Sequence, residues 1–178
     1  MGWHDPPDDL DLSNPLWEMA LMLWNRPGFA SACLEAQYRG VVVLHILVAL
    51  YSARAGFLWQ GEEPRDIRQW RCSATGTLRS LRQQLARDNP ATAALREKIK
   101  ENEIASEQIE LAWWWHYLGT MATWQFRNDL HPLDRSRHNL DAIGLEGDPA
   151  GIRERILDIW KQAPDKHSLT GNRSCRQH

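Results

Sequence analysis

Six apolar positions, Ile67, Trp70, Ala74, Leu78, Leu81 and Leu85, recur at spacings of 3, 4, 4, 3 and 4. That rhythm keeps a narrow stripe on one side of an α-helix for about five turns, and such a stripe predicts a partner helix packed along it. Asn89-Pro90 follows and suits the start of that partner. Asn is a favoured N-cap, and Pro fits the first helical position because its missing N–H would have no acceptor there. The expected element is a long antiparallel helical hairpin. Its arms lie at about 64–88 and 90–126, with a turn of two or three residues between them.

The flanking sequence supplies helices to pack on this hairpin. Asn14-Pro15 repeats the cap-and-proline start ahead of Leu16, Trp17, Ala20, Leu21, Leu23 and Trp24. Asn25-Arg26-Pro27-Gly28 breaks that helix, and Phe29, Ala32, Cys33 and Ala36 then recur with helical spacing as far as Gly40. Residues 41–55 are apolar on nearly every face, as the most buried helix of a bundle would be, and they lack the alternation of a strand. Asp148-Pro149 opens a last helix with Ile152, Ile156, Ile159 and Trp160 on one face, and a shorter helical piece is expected around 136–143. The chain therefore reads as an all-α, single-domain helical bundle. Residues 1–13 form an acidic, flexible arm, 14–162 the helical domain, and 163–178 a polar, disordered tail.

A length of 178 residues favours one domain. The net charge of −2 gives no global attraction to nucleic acid. Its distribution is uneven. Residues 1–26 carry five acidic groups against Arg26, whereas residues 64–88 carry six arginines against Asp66 and Asp88. Cys33, Cys72 and Cys175 form no CxxC, and an odd number excludes a complete disulfide framework. The acidic, proline-rich opening is unlike a signal peptide. The longest apolar run, 41–53, is interrupted by His45 and falls short of the ~20 residues that span a bilayer. A cytoplasmic protein without a transmembrane segment is the expectation.

Several short motifs resemble a small bacterial all-helical family of unknown function. Leu16-Trp17, Arg26-Pro27-Gly28, Ala32-Cys33-Leu34 and Gln37 are similar to its opening. Trp70-Arg71 with Leu78-Arg79-Ser80-Leu81-Arg82 resembles its middle, and Glu103-Ile104-Ala105-Ser106-Glu107 its Glu-Leu-x-Ala-Glu stretch. The resemblance covers roughly residues 14–112 and implies a cytoplasmic helical protein, with no chemistry attached. Where that family carries Asp-Val-Asn at the start of the buried helix, this chain reads Val42-Val43-Leu44.

Two sets of side chains stand out as candidate sites. With the turn centred on Asn89, residues whose numbers sum to about 178 lie level, so Arg71 would face Glu107, Arg68 Glu110, Thr75 Glu103 and Arg82 Glu97. Glu103, Glu107 and Glu110 share one helical side, which predicts a ladder of ion pairs. One such pair could be half-buried and line a ligand or partner groove. The second set is Trp113-Trp114-Trp115, continued by Tyr117, Met121 and Trp124. Three successive indoles sweep about 200° of a helix, more than one apolar face takes, so an interaction surface is expected there, for a partner protein or a homodimer.

No catalytic constellation, cofactor motif or metal-ligand spacing is present. There is no HExxH, GxSxG, Walker loop or GxGxxG, and His131 and His138 with Asp129 and Asp134 match no standard metal site. His45 and His116 read as core or boundary histidines satisfied by backbone carbonyls. The expected function is that of a non-catalytic protein-interaction or regulatory module. Alternatives are a small-ligand binder or unrecognised enzyme with a pocket at the 64–112 hairpin, and a weak nucleic-acid binder through the arginines of residues 64–88.

Overall fold

The computed structural model describes residues 5–118 and 125–163. Among the described residues the fold is all-α apart from one two-residue strand pair. Helix α1 (Pro15–Trp24) starts as its sequence dictates, with Pro15 in the first turn and the Asn14 side chain accepting from the Trp17 N–H at 3.0 Å. Gly28, at φ 84°, turns the chain into α2 (Phe29–Tyr38). Helix α3 (Val43–Arg54) is buried from Ile46 through Ala53 and packs against α1, α2, α6 (Ala93–Tyr117) and α7 (Pro132–Leu140). It is the axis of the bundle.

After α3, strand β1 (Phe57–Leu58) pairs antiparallel with β2 (Gln125–Phe126). The second hairpin arm therefore does not run to 126. It ends at Tyr117, and Phe126 lies in a strand, with its ring 5.3 Å from that of Phe57. Backbone crowding explains the local geometry. Gly56 has φ 93°, and a Cβ there would lie 2.8 Å from Phe126 and 2.7 Å from Asn128.

The first arm is α4 (Arg65–Trp70), one π-helical turn (Arg71–Thr75) and α5 (Gly76–Gln84) in continuous succession. The wide turn changes the phase of the stripe. Ile67 and Thr75 are buried, while Leu78, Leu81 and Leu85 are not, and α5 buries none of its residues. The heptad thus holds only in its first half. The turn also differs from expectation. Leu85 leaves the helix with extended backbone, α6 begins at Ala93, and the connection spans 85–92. Asn89 caps a local turn, accepting from Ala91 N–H at 3.0 Å, rather than the helix itself.

Helix α7 continues through a π turn (Asp141–Leu145), and α8 (Ile152–Lys161) closes the bundle with Ile152, Ile156, Leu157 and Trp160 inward. Two buried polar residues fasten α7 to α3. The Asn139 Nδ2 lies 3.1 Å from the oxygens of Ala49, Ser52 and Phe57, and its Oδ1 accepts from Trp59 N–H at 2.8 Å. Arg135 donates to the carbonyls of Ala53, Arg127 and Leu130, which supplies a cation near the C-terminal end of α3. The segment ahead of α1 contacts α6, where Gln108 donates to the Leu12 carbonyl at 2.8 Å.

Candidate functional site

A groove of about 680 Å³ opens between the α1–α3 layer and the hairpin. One wall is apolar, formed by Trp17, Leu21 and Trp24 of α1, Leu34 of α2, and Val43 and Leu47 of α3. Leu21, Trp24 and Leu34 are 47%, 45% and 48% exposed, unusual for large apolar side chains drawn together on one surface. The opposite wall is ionisable, formed by Arg71, Arg79 and Arg82 of the first arm and Glu103, Glu107 and Glu110 of α6.

The charged wall is a ladder. Glu103 accepts from Arg79 Nε at 2.8 Å and from Arg82 Nε at 2.6 Å, and Glu107 accepts from Arg79 Nη2 at 2.6 Å. Burial opposes ionisation of Glu103, yet the hydrogen bonds from Arg82 and Arg79 outweigh it and hold the carboxyl below its usual range. Burial pushes the Glu107 carboxyl up. Between the rungs, the Thr75 and Ser106 hydroxyls meet at 2.7 Å, and the Trp70 indole donates to the Ser106 carbonyl at 3.1 Å.

Behind the groove floor four ionisable residues converge from different elements. Arg71 is gripped by both oxygens of Glu63, with Nη2 2.8 Å from Oε2 and Nη1 bonded to Oε1. The His45 Nε2 lies 3.1 Å from Glu63 Oε1 and 3.0 Å from Arg71 Nη1, within reach of an acceptor and a donor. Edge-to-face contacts from Trp59 and Trp114, at 5.4 and 5.6 Å, wall the imidazole in. Burial works against ionisation of Glu63, but hydrogen bonds from His45 and Arg71 prevail and lower its pKa.

Glu110 differs from its neighbours. It is 0% exposed, its Oε1 lies 3.4 Å from Arg71 Nη1, and its Oε2 has no hydrogen-bonding partner among the described residues. Burial pushes its carboxyl up to about 8, with Arg71 opposing and Glu63 adding to the rise. A value of about 8 favours the protonated acid at neutral pH, and the residue lines the groove with its side chain enclosed.

The ladder is thus made from most of the residues singled out by sequence, with altered partners. Arg71 meets Glu110 and Glu63 rather than Glu107, Arg82 meets Glu103 rather than Glu97, and Thr75 meets Ser106 rather than Glu103. Glu97 pairs with Lys100, and Arg68 is exposed while Glu110 takes Arg71. The π turn rotates Arg71 toward α3, and long arginine side chains reach across a helical turn. His45 corrects a second expectation, since it meets a carboxylate and a guanidinium instead of a backbone carbonyl. Its partner Glu63 lies in the loop before α4, outside any helical pattern that would have marked it.

The tryptophan run occupies different ground. Trp113 and Trp114 are 2% and 0% exposed, packed by the chain itself, and present no surface to a partner. Trp115 is half-buried and hydrogen-bonds the Tyr51 side chain, and Tyr117 is half-buried. Met121 and Trp124 lie outside the described residues. A helix covered on two sides by its own bundle accommodates the adjacent indoles. His131 caps α7 through the Leu133 N–H at 3.2 Å, and no group of three His, Cys, Asp or Glu suited to a metal occurs among the described residues.

An all-α bundle with an open groove, apolar on one wall and ionisable on the other, is the class of protein these features define. The model of a family described as protein of unknown function, DUF2390, matches residues 15–113, more than half of the chain, and the chain belongs to that family. No curated protein and no solved structure matches it. The matched span contains both walls of the groove and the His45–Glu63–Arg71–Glu110 cluster behind it. No helix among the described residues is long and apolar enough to cross a membrane.

Proposed function

We propose that the protein binds a small amphipathic molecule in the groove between α1 and the hairpin. The observation that carries this reading is the pairing of an exposed apolar wall with a buried polar floor in a cavity of about 680 Å³. That volume falls within the roughly 300–1,000 Å³ of ligand pockets, which combine apolar lining with a few placed polar groups. The apolar part of the ligand would lie on Leu21, Trp24 and Leu34, and its polar group would approach Glu110.

A protein partner or a second copy of the chain would not find the indoles of Trp113 and Trp114 on the surface, because both are inside. The ionisable floor favours the small-ligand reading over that one. Nucleic-acid binding loses support because Arg71, Arg79 and Arg82 are already engaged by carboxylates. A cytoplasmic setting fits the free thiols of Cys33 and Cys72.

Titration with the neutral fluorophore N-phenyl-1-naphthylamine tests the proposal. Saturable one-site binding is expected, weakened at least tenfold by Leu21→Lys or Leu34→Lys in a chain of unchanged helicity. Absence of saturable binding to the folded wild type overturns it.

A further inference from the structure

The groove wall and the cluster behind it hold three arginines, Arg71, Arg79 and Arg82, against four glutamates, Glu63, Glu103, Glu107 and Glu110. Arg79 and Arg82 are shared between Glu103 and Glu107. Both terminal nitrogens of Arg71 are taken by Glu63, and one of them also reaches His45. Glu110 is left with a single 3.4 Å contact and an oxygen without a partner among the described residues. A fully buried carboxyl in that position lacks a close positive partner of its own. In the free protein a proton takes that place.

We propose that the ligand of the groove is an amphipathic amine, whose apolar chain lies along Leu21, Trp24 and Leu34 and whose ammonium group pairs with Glu110. The inference rests on the groove being a ligand site and adds the charge of the ligand. An anionic head group would find no uncommitted guanidinium, because the carboxylates occupy all three arginines. A neutral head group would leave the carboxyl as it is and gain one hydrogen bond. An ammonium group instead replaces the proton. The O–H bond of Glu110 breaks, the proton passes to water, and an N–H of the ammonium donates to the resulting carboxylate. A charge-assisted hydrogen bond shielded from water is stronger than a neutral one.

Proton release links affinity to pH. The groups facing Glu110 are Arg71 from the π turn, Glu63 from the loop after β1, Glu107 one turn earlier on α6, and His45 of α3 behind Arg71 and Glu63. Burial has raised the carboxyl to about 8, so the ammonium competes with a bound proton throughout the neutral range. Affinity for the amine therefore rises with pH by up to about tenfold per unit below that value, while affinity for an uncharged analogue stays level.

The test uses the full chain and three probes of equal length, decylammonium chloride, decanol and sodium decanoate, each below its aggregation threshold. Calorimetry at pH 6, 7 and 8, repeated in two buffers of different ionisation enthalpy, gives affinity and proton release. Decylammonium is expected to bind at least tenfold more tightly than decanol at pH 8, with tightening from pH 6 and close to one proton released at pH 7. Glu110→Gln is expected to retain decanol binding and to lose the amine preference, the pH dependence and the proton release. Equal, pH-independent binding of decanol and decylammonium overturns the cation assignment while the groove reading stands. Preferential binding of decanoate overturns it in sign. Failure of all three probes overturns both readings.

Discussion

Glu110→Gln should make the protein more stable than the wild type at alkaline pH relative to acid pH, and the structure sets the size of the change. Burial lifts the Glu110 carboxyl from its ordinary value near 4.5 to about 8 in the folded chain. The folded state then holds a proton that the unfolded state has surrendered, across the whole interval between those values. Stability contributed by this group is complete below about pH 4.5 and is lost as pH rises toward 8, at about 1.4 kcal/mol per pH unit. Between pH 5 and pH 8 the loss comes to about 3 kcal/mol, a large part of the 5–15 kcal/mol typical of a domain. Gln matches the shape of the protonated acid and has no proton to lose. Glu63 and Glu107 also titrate abnormally, in opposite directions, but they are common to both chains and cancel in the comparison. Urea unfolding followed by tryptophan fluorescence at pH 5, 6, 7 and 8 gives both profiles. The variant should gain about 3 kcal/mol on the wild type across this range. Parallel profiles would show that Glu110 titrates like an ordinary carboxyl and would refute the account of its burial.

Three further outcomes follow from the packing. Asn139→Ala strips the partner from Trp59 N–H and from the carbonyls of Ala49 and Phe57, so it should cost about 2–4 kcal/mol in urea unfolding. A double-mutant cycle between Glu103→Gln and Arg79→Met should return a coupling of about 1 kcal/mol, near the upper end for surface pairs because Glu103 is buried while Arg79 is partly solvated. Leu21→Lys places its new charge at an exposed position, so it should change the unfolding free energy by less than about 0.5 kcal/mol while weakening the groove.

The sequence was informative where local chemistry decides structure. Asn14-Pro15 starts α1 and the unbroken apolar run makes α3 the central helix, because capping and hydrophobicity act over a few residues. The hairpin was legible from its heptad, whereas the π turn was not, since Arg71–Thr75 contains no proline or glycine to interrupt an ordinary α-turn. That single shift of phase moved Leu78 and Leu81 off the buried face and turned Arg71 toward His45. Of the candidate site, the Arg and Glu ladder was visible from helical spacing. The cluster behind the groove was not, because Glu63 and His45 lie in different elements and come together only through the fold. The exposed wall was hidden as well. Leu21, Trp24 and Leu34 look like core residues in sequence, and only the packing shows that the described residues leave them about half exposed. Trp113 and Trp114 show the converse, being conspicuous in sequence yet enclosed in the bundle.

Nitrogen–proton correlation spectra of the labelled chain during titration with decylammonium test the central claim most directly, because Trp17 and Trp24 carry indole N–H reporters on the apolar wall. The account predicts progressive shifts of those two indoles and of the Leu21, Leu34 and Val43 amides, with the Trp113 and Trp160 indoles unchanged. Shifts centred on residues 113–118, or scattered over the whole surface, would contradict it.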